Sequence, residues 1–345
     1  MILETIYQNV KLKEDIKVIR QYAFLVLCYP RISVKSLANK LFLPVPIVSA
    51  IKNEMKKKSL VDDQFGISLT PKGKLVVRYE LRIKELDIKR YLEITSLAEW
   101  HALFPEAFEI FENRPIADVT LDQSKCTMET SFKRAQYLLK TGEAISGSLL
   151  CIGDDDLVSV ACGFLYQYLT HGKGRDFEIT VVDKDLRVLD YIRKNSFTYQ
   201  LPIEVVEYDL RNSLPEVMVG QFDVIITDPP YTVNGLELFI LRGLAFLKKD
   251  NEVSLFLSFP VKPLADRLAI QSFFTTNNIL VCHISENFNQ YEGAQIIGGV
   301  SNFLHLKTVV TTDFTDVSPF IKKIYTREQN SKIRKDSKSK KDYDK

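Results

Sequence analysis

The chain has 345 residues, 46% of them hydrophobic and 26% charged, which suffices for a sizeable core and two or three domains of ordinary size. It has no apolar run long enough to span a bilayer, and its first 17 residues (MILETIYQNVKLKEDIK) lack the pattern of a secretory leader, so a cytoplasmic protein is expected. The net charge of +2 conceals a basic head (residues 1–95, 18 Lys/Arg against 10 Asp/Glu), an acidic body (96–321, 18 against 30) and a basic tail (322–345, 10 against 4), and such a body repels phosphates and suits a cationic substrate.

In chain order, Leu12–Tyr29 has helical periodicity, and Ser33 stands as an N-cap before a second helix. Ile47–Lys58 is a third amphipathic helix, with Ile47, Ile51 and Met55 inward. Leu60–Thr70 reads as strand, turn and strand, and Pro71 starts a helix running to Leu86. Helix, helix–turn–helix and wing together describe a winged-helix domain. Lys52, Lys56, Lys57 and Lys58 offer phosphate contacts, but the third helix carries no Arg for reading bases. The head is therefore expected to serve homodimerisation or substrate enclosure, with DNA binding weak or absent.

From Tyr91 to Asp118 the periodicity weakens and aromatics accumulate, as in a connector packed on the body; a helix is expected at Ser131–Leu139. Strands then alternate with helices. Strands are predicted at 149–152, 177–182, 203–206, 222–227 and 253–259, with two more at 279–284 and 302–308. Helices are predicted at 157–169, 186–195 and 236–247. This alternation predicts an α/β fold with a doubly wound parallel sheet. From 321 onward the chain is Lys/Ser/Asp-rich and reads as a flexible, solvated tail. The five scattered cysteines form no C-x-x-C and the four histidines have no paired spacing, so reduced thiols and no metal are expected.

In such a sheet, ligands bind beyond the carboxyl ends of the strands. Those ends carry Gly153-Asp154-Asp155-Asp156, then Asp183 and Asp185, then Asp209, then Asp228-Pro229-Pro230-Tyr231. Three aspartates stand where a dinucleotide fold would offer backbone amides to pyrophosphate, so NAD and FAD are disfavoured. A cationic nucleoside fits better: a sulfonium such as S-adenosylmethionine or its decarboxylated form. Asp183 is placed to bind ribose hydroxyls and Asp209 to accept from the adenine amine. Any one of the loop aspartates could instead cap a helix. The rigid D-P-P-Y loop can take the hydrogens of an amine on Asp228 and face a base or cation with Tyr231. It resembles the motif of amino-group methyltransferases.

Asp122-Gln123, Thr127, Glu129-Thr130, Arg134, GDDDLVSVA (153–161), VDKD (182–185), DLR (209–211), DPPY (228–231) and NFNQY (287–291) occur in that order. The run resembles the branched-chain polyamine synthases, that is, the bis(aminopropyl)spermidine synthases. The resemblance implies a winged-helix-like domain (1–95), a Rossmann-like catalytic domain of the class I methyltransferase type (96–320) and a basic tail (321–345). It implies aminopropyl transfer from decarboxylated S-adenosylmethionine to the secondary amine of spermidine. The expected catalytic residues are Asp155, Asp156, Asp228 and Tyr231; Gly153, Asp154, Asp183, Asp185 and Asp209 are expected to bind the nucleoside. Asp156 and Asp228 are the candidates for acceptor contact and proton removal, with the order among the loop aspartates open. Two departures, Tyr231 where the family's proline loop usually carries an acid and a basic rather than acidic end, bear on binding of a long polyamine. A methyltransferase using S-adenosylmethionine, and a winged-helix DNA-binding regulator with a non-catalytic ligand domain, stand as alternatives. Three aspartates disfavour the methyl donor's carboxylate, and acids at every strand end argue against a regulator.

Overall fold

The computed structural model describes the chain except residues 14, 85–87, 144, 146, 171–176, 250–251, 293–298, 310–319 and 329–345. The expected tail from 329 onward thus lies outside the described residues. The chain opens with a helix the sequence does not predict, α1 (Ile2–Val10), whose first amides donate to Glu80 from 78 and 77 residues away. A cap supplied from that distance leaves no local signal. α2 (Lys17–Cys28) is buried on most of its surface, and α3 (Val34–Leu41) is capped by Ser33, whose Oγ accepts from Ser36 N at 3.0 Å. Next comes α4 (Val45–Lys57), burying Val48, Ile51 and Met55. β1 (Val61–Asp62) and β2 (Ser68–Leu69) pair antiparallel before α5 (Pro71–Glu80), which ends short of the predicted Leu86 as the chain turns through Arg82 at φ 51°.

Where the sequence predicts an irregular connector, three short helices form: α6 (Ile88–Leu92), α7 (Leu97–Leu103) and α8 (Pro105–Glu112). None is long enough to display a clear period. Their aromatics pack on α9 (Met128–Lys140), with Trp100 and Phe104 stacked on Phe132 at centroid distances of 4.9 and 5.4 Å.

A seven-stranded sheet follows, built from β3 (Gly147–Ile152), β4 (Phe177–Asp183), β5 (Ile203–Glu207), β6 (Val224–Thr227), β7 (Glu252–Phe259), β8 (Leu280–Gln290) and β9 (Val300–Val309), in the order β5-β4-β3-β6-β7-β9-β8. The crossovers run through α10 (Val158–Leu169), α11 (Leu186–Tyr199), α12 (Val233–Phe246) and α13 (Leu264–Thr276). Six strands run in one direction and β9, paired antiparallel with both β7 and β8, runs against them, so the sheet is mixed rather than purely parallel as predicted. α13 is unpredicted because it buries only Phe274 while Leu264 and Leu268 stay exposed, which leaves no apolar stripe.

Alternation along the strands divides the core by face. Leu149 and Cys151 of β3 join the cluster containing α9, α10 and the N-terminal helices, whereas Leu150 and Ile152 join the cluster under α12. The N-terminal helices and the sheet thus share one continuous apolar core. A polar joint supplements it: Lys17 Nζ lies 2.5 Å from the buried Glu143, which also accepts from Ser254 Oγ at 2.7 Å. Burial alone would push the Glu143 carboxyl up, but Lys17, Lys307 and His305 outweigh it and bring it to about 2. No single helix among the described residues is long and apolar enough to cross a membrane.

Candidate active site

The carboxyl ends of β3, β4, β5 and β6 converge on one cleft of roughly 660 Å³, open mouth included. The chain leaves β3 through Gly153, whose φ of 69° suits glycine, with Phe239 below it, and enters α10 through Leu157, held left-handed at φ 55°. That turn puts three aspartates in three environments. Asp154 points back into the helix, where its carboxylate accepts from Val158 N (2.7 Å) and Ser159 N (3.2 Å). It is a cap for α10 and does not line the cleft, and burial pushes it up to about 7. Asp156 lines the cleft, but both its oxygens are committed: Oδ1 accepts from Cys126 N at 2.7 Å and Oδ2 from Arg134 at 2.7 Å. Asp155 alone presents an unpartnered buried oxygen, Oδ2. Burial first, and repulsion from Asp156, Asp183, Asp228 and Asp154 second, push its carboxyl well above the carboxylate range.

At the end of β4, Asp183 accepts from Asp185 N (2.8 Å) and Asp154 N (3.2 Å) and faces the cleft, its carboxyl raised mainly by burial. Asp185 caps α11 instead, pairing with Arg187 at 2.6 Å and accepting from Gln123, so it stands outside the lining. Asp209 beyond β5 lines the cleft with its charge shared by Arg211 (2.6 Å) and Lys184 (3.5 Å). The expected set therefore divides: Gly153, Asp155, Asp156, Asp183, Asp209, Asp228 and Tyr231 come together, while Asp154 and Asp185 shape the loops beneath them.

The D-P-P-Y loop leaves β6 and feeds α12. Gly235 is required there, since a Cβ would sit 2.6 Å from Pro230 O. Asp228 Oδ2 accepts from Tyr291 Oη (2.5 Å) and from Arg134 (3.0 Å), and its buried Oδ1 has no partner. Its carboxyl rises to about 7, burial outweighing Arg134. Arg134 is itself fully enclosed on α9 and also donates to Asn289 Oδ1 at 2.8 Å. This network escapes a reading confined to strand ends, although an arginine on the apolar face of α9, between Phe132 and Leu138, was a usable signal.

Within residues 321–328, predicted as the start of a solvated tail, Ile324 and Tyr325 line the cleft. Ile324 and Tyr325 are buried, Thr232 Oγ1 donates to Ile324 O (2.6 Å), and Thr326 N donates to Asp122 (2.8 Å). Two apolar residues in a charged stretch gave no periodic signal. Six carboxylates line the cleft, against one cation, Lys184. A wider groove adjoins it, sharing Asp122, Gln123, Ser124 and Tyr231 and extending to Lys262 and Asn287. Lys262 Nζ donates to Tyr231 O at 2.8 Å. In the head, the four lysines of the predicted phosphate-contacting helix are mostly engaged: Lys52 and Lys56 lie 2.8 and 2.5 Å from Asp63, and Lys57 pairs with Glu54.

Residues 103–344 match the family model described as the branched-chain polyamine synthase A C-terminal domain. An uncharacterized protein of Methanocaldococcus jannaschii is 33% identical over 310 residues, 87% of this chain and 76% of the relative. The N(4)-bis(aminopropyl)spermidine synthase of the same organism is 31% identical over 255 residues, 72% of this chain and 70% of the relative. Among solved structures, the branched-chain polyamine synthase from Thermus thermophilus, in complex with N4-aminopropylspermidine and 5′-methylthioadenosine, superposes with a TM-score of 0.58 at 19% identity over 95% of this chain and 96% of that one, a likeness of fold.

Proposed function

The chain belongs to the branched-chain polyamine synthase family, and from that premise we propose that it transfers aminopropyl groups from decarboxylated S-adenosylmethionine to an amine of a polyamine such as spermidine. The observation that carries this reading is the buried pair of unpartnered oxygens, Asp155 Oδ2 and Asp228 Oδ1, in a cleft with six carboxylates and one lysine. A cation entering that cleft offsets the burial, and the repulsion second to it, that hold these acids above their ordinary range. A donor bearing a carboxylate adds to the repulsion. The sign of the charge therefore favours the decarboxylated donor over S-adenosylmethionine and aminopropyl over methyl transfer.

The nucleoside lies in the cleft, with Asp183 toward the ribose, Asp209 toward the adenine amine, and Phe239 and Tyr325 as apolar walls. The acceptor occupies the adjoining groove and meets the donor at Tyr231. When bound, the donor supplies a carbon next to a sulfonium; the acceptor nitrogen bonds to that carbon as the carbon–sulfur pair leaves on a neutral thioether. The residues of this chain do three things. Asp155 Oδ2 takes one proton from the acceptor ammonium and so frees its lone pair, the raised affinity of Asp155 for protons suiting it to the task. Asp228 Oδ1 accepts an N–H and aims the nitrogen. Ile324 and Tyr325 keep water out and hold the two reactants in line. Asp156, with both oxygens committed, supports Arg134 and takes no proton. We assign residues 1–95 to a winged-helix-like head, 96–320 to the Rossmann-like catalytic domain, and a role in homodimerisation or enclosure rather than DNA reading to the head; the pairing of its lysines with Asp63 and Glu54 supports this. Incubation with each donor and a panel of polyamines, read by mass spectrometry, tests the reading. A gain of one aminopropyl unit is expected; a gain of one methyl, or none with any acceptor, overturns it.

A further inference from the structure

Arg134 touches neither the cleft nor the adjoining groove, yet it is the most heavily committed cation near them. From α9 its Nε donates to Asn289 Oδ1 (2.8 Å), one terminal nitrogen donates to Asp156 Oδ2 (2.7 Å), and the other to Asp228 Oδ2 and Tyr291 Oη (3.0 Å each). Tyr291 completes a ring: its hydroxyl donates to Asp228 Oδ2 at 2.5 Å and lies 2.9 Å from Ser301 Oγ. Ser301 Oγ in turn accepts from Asn289 Nδ2 at 2.9 Å. The groups meeting here come from α9, the loop after β3, the end of β6, and the β8 and β9 strands with the residue that follows β8. The arrangement is asymmetric at one atom pair. Asp228 Oδ2 has two donors, Oδ1 has none, and it is the carboxylate as a whole that lines the cleft.

We propose that Arg134 and Tyr291 are positioning residues that grip Asp228 through Oδ2, so that Oδ1 is presented to the acceptor amine as a fixed, charged acceptor while Asp155 handles the proton. This rests on the aminopropyl-transfer reading and adds to it a division of labour among the acids. Without the grip, Asp155 and Asp228 compete for one proton in a buried space, and Asp228 rotates freely about its terminal torsion. With it, the nearby guanidinium and phenol keep Asp228 ionised over a wider range of pH than burial alone would allow. The other titratable groups bearing on Asp228 are Asp155 and Asp156, both acids, which oppose its ionisation, and the phenol of Tyr231 from its own loop, whose own ionisation Asp228 opposes.

The test is the pH dependence of turnover in Tyr291→Phe, Arg134→Met and Arg134→Lys, each checked for wild-type-like folding by circular dichroism. Wild-type turnover in the same assay reports on the aminopropyl-transfer reading, so the two claims fail separately. In Tyr291→Phe, which keeps the ring, kcat should fall about tenfold with KM for the amine little changed, and the acid limb of the kcat profile should move up by about one pH unit, the scale of one charge-assisted hydrogen bond. Arg134→Met should move the limb further, by about one to three units, and Arg134→Lys should restore part of the shift by returning the charge without the fork. Tyr291→Phe keeps the test open if Arg134→Met does not fold. An acid limb that stays at the wild-type position in a folded Tyr291→Phe variant overturns the proposal, as does a loss expressed in KM alone.

Discussion

Two charged regions of this molecule behave in opposite ways. On α4 the lysines meet counter-charges: Asp63 lies between Lys52 and Lys56, and its carboxyl is held down to about 2 chiefly by those two hydrogen bonds. In the cleft the acids meet one another, and Asp155 and Asp228 each keep a buried oxygen without a partner. Ion pairs on an exposed helix are worth little, and nothing further needs to bind there. In the cleft, Arg134, Arg211 and Lys184 match part of the acids' charge, through Asp156, Asp209 and one oxygen of Asp228. Buried acid oxygens left without a partner are costly, and such groups concentrate where a ligand supplies the missing charge. The comparison teaches that the count of charges in a region says less than whether they are already matched. The lysines of α4 look ready for phosphate in the sequence, and three of the four meet acids in the structure.

The sharpest break of this contrast is Asp155→Asn. It keeps volume and removes the proton acceptor, and turnover should fall about 100-fold or more, the scale of a lost acid–base group; single-turnover assays at saturating donor measure it. Near-normal turnover would reassign the base.

The same variant should gain stability while it loses activity. A carboxyl whose affinity for protons is raised by folding binds more protons in the folded chain than in the unfolded one. Its contribution to stability is therefore present below the unfolded value and declines as pH rises through the folded value. Asp228, raised to about 7, acts in the same direction. Without ligand, the wild type should lose melting temperature between pH 5 and pH 8, and Asp155→Asn should lose less. At pH 8 the variant should melt about 2–4 °C higher, the shift produced by roughly 1 kcal/mol in a domain of this size. Equal pH dependence in scanning calorimetry would show that Asp155 is not strained in the empty cleft.

The smallest expected effect lies in the head. Asp63→Asn frees Lys52 and Lys56, so any weak, non-specific binding of duplex DNA should tighten, with a salt slope steeper by about one to two. Fluorescence anisotropy against salt reads this directly. Sequence-selective, nanomolar binding by the wild type at physiological salt would show instead that the pairing on α4 does not restrain the head.

The parallel strands were legible in the sequence because each is a short apolar run, closed by a glycine at Leu149–Ile152 before Gly153 and by an acid at Val224–Thr227 before Asp228. The acids of the cleft were legible for the same reason, since the sheet's geometry assigns function to strand ends. Which acid is free was not. Asp154 and Asp185 look the same as Asp155 and Asp183 in sequence, and only the amides of Val158, Ser159 and Arg187 distinguish caps from cleft residues. The choice between Asp155 and Asp156 depends on Arg134, 22 residues from Asp156 and 94 from Asp228. Contacts at such separations carry no periodic trace, and the antiparallel return of β8 and β9, which places Asn289 and Ser301, breaks the alternation that predicted the sheet.

The central claim is that the cleft is built around acids awaiting a cation. Calorimetric titration of the enzyme with decarboxylated S-adenosylmethionine and, in parallel, with S-adenosylmethionine tests it most directly, because the two differ in the one carboxylate that the cleft should reject. The decarboxylated donor should bind at least about tenfold tighter, about 1.4 kcal/mol, and equal or tighter binding of the carboxylated donor would contradict a cleft built to take a cation.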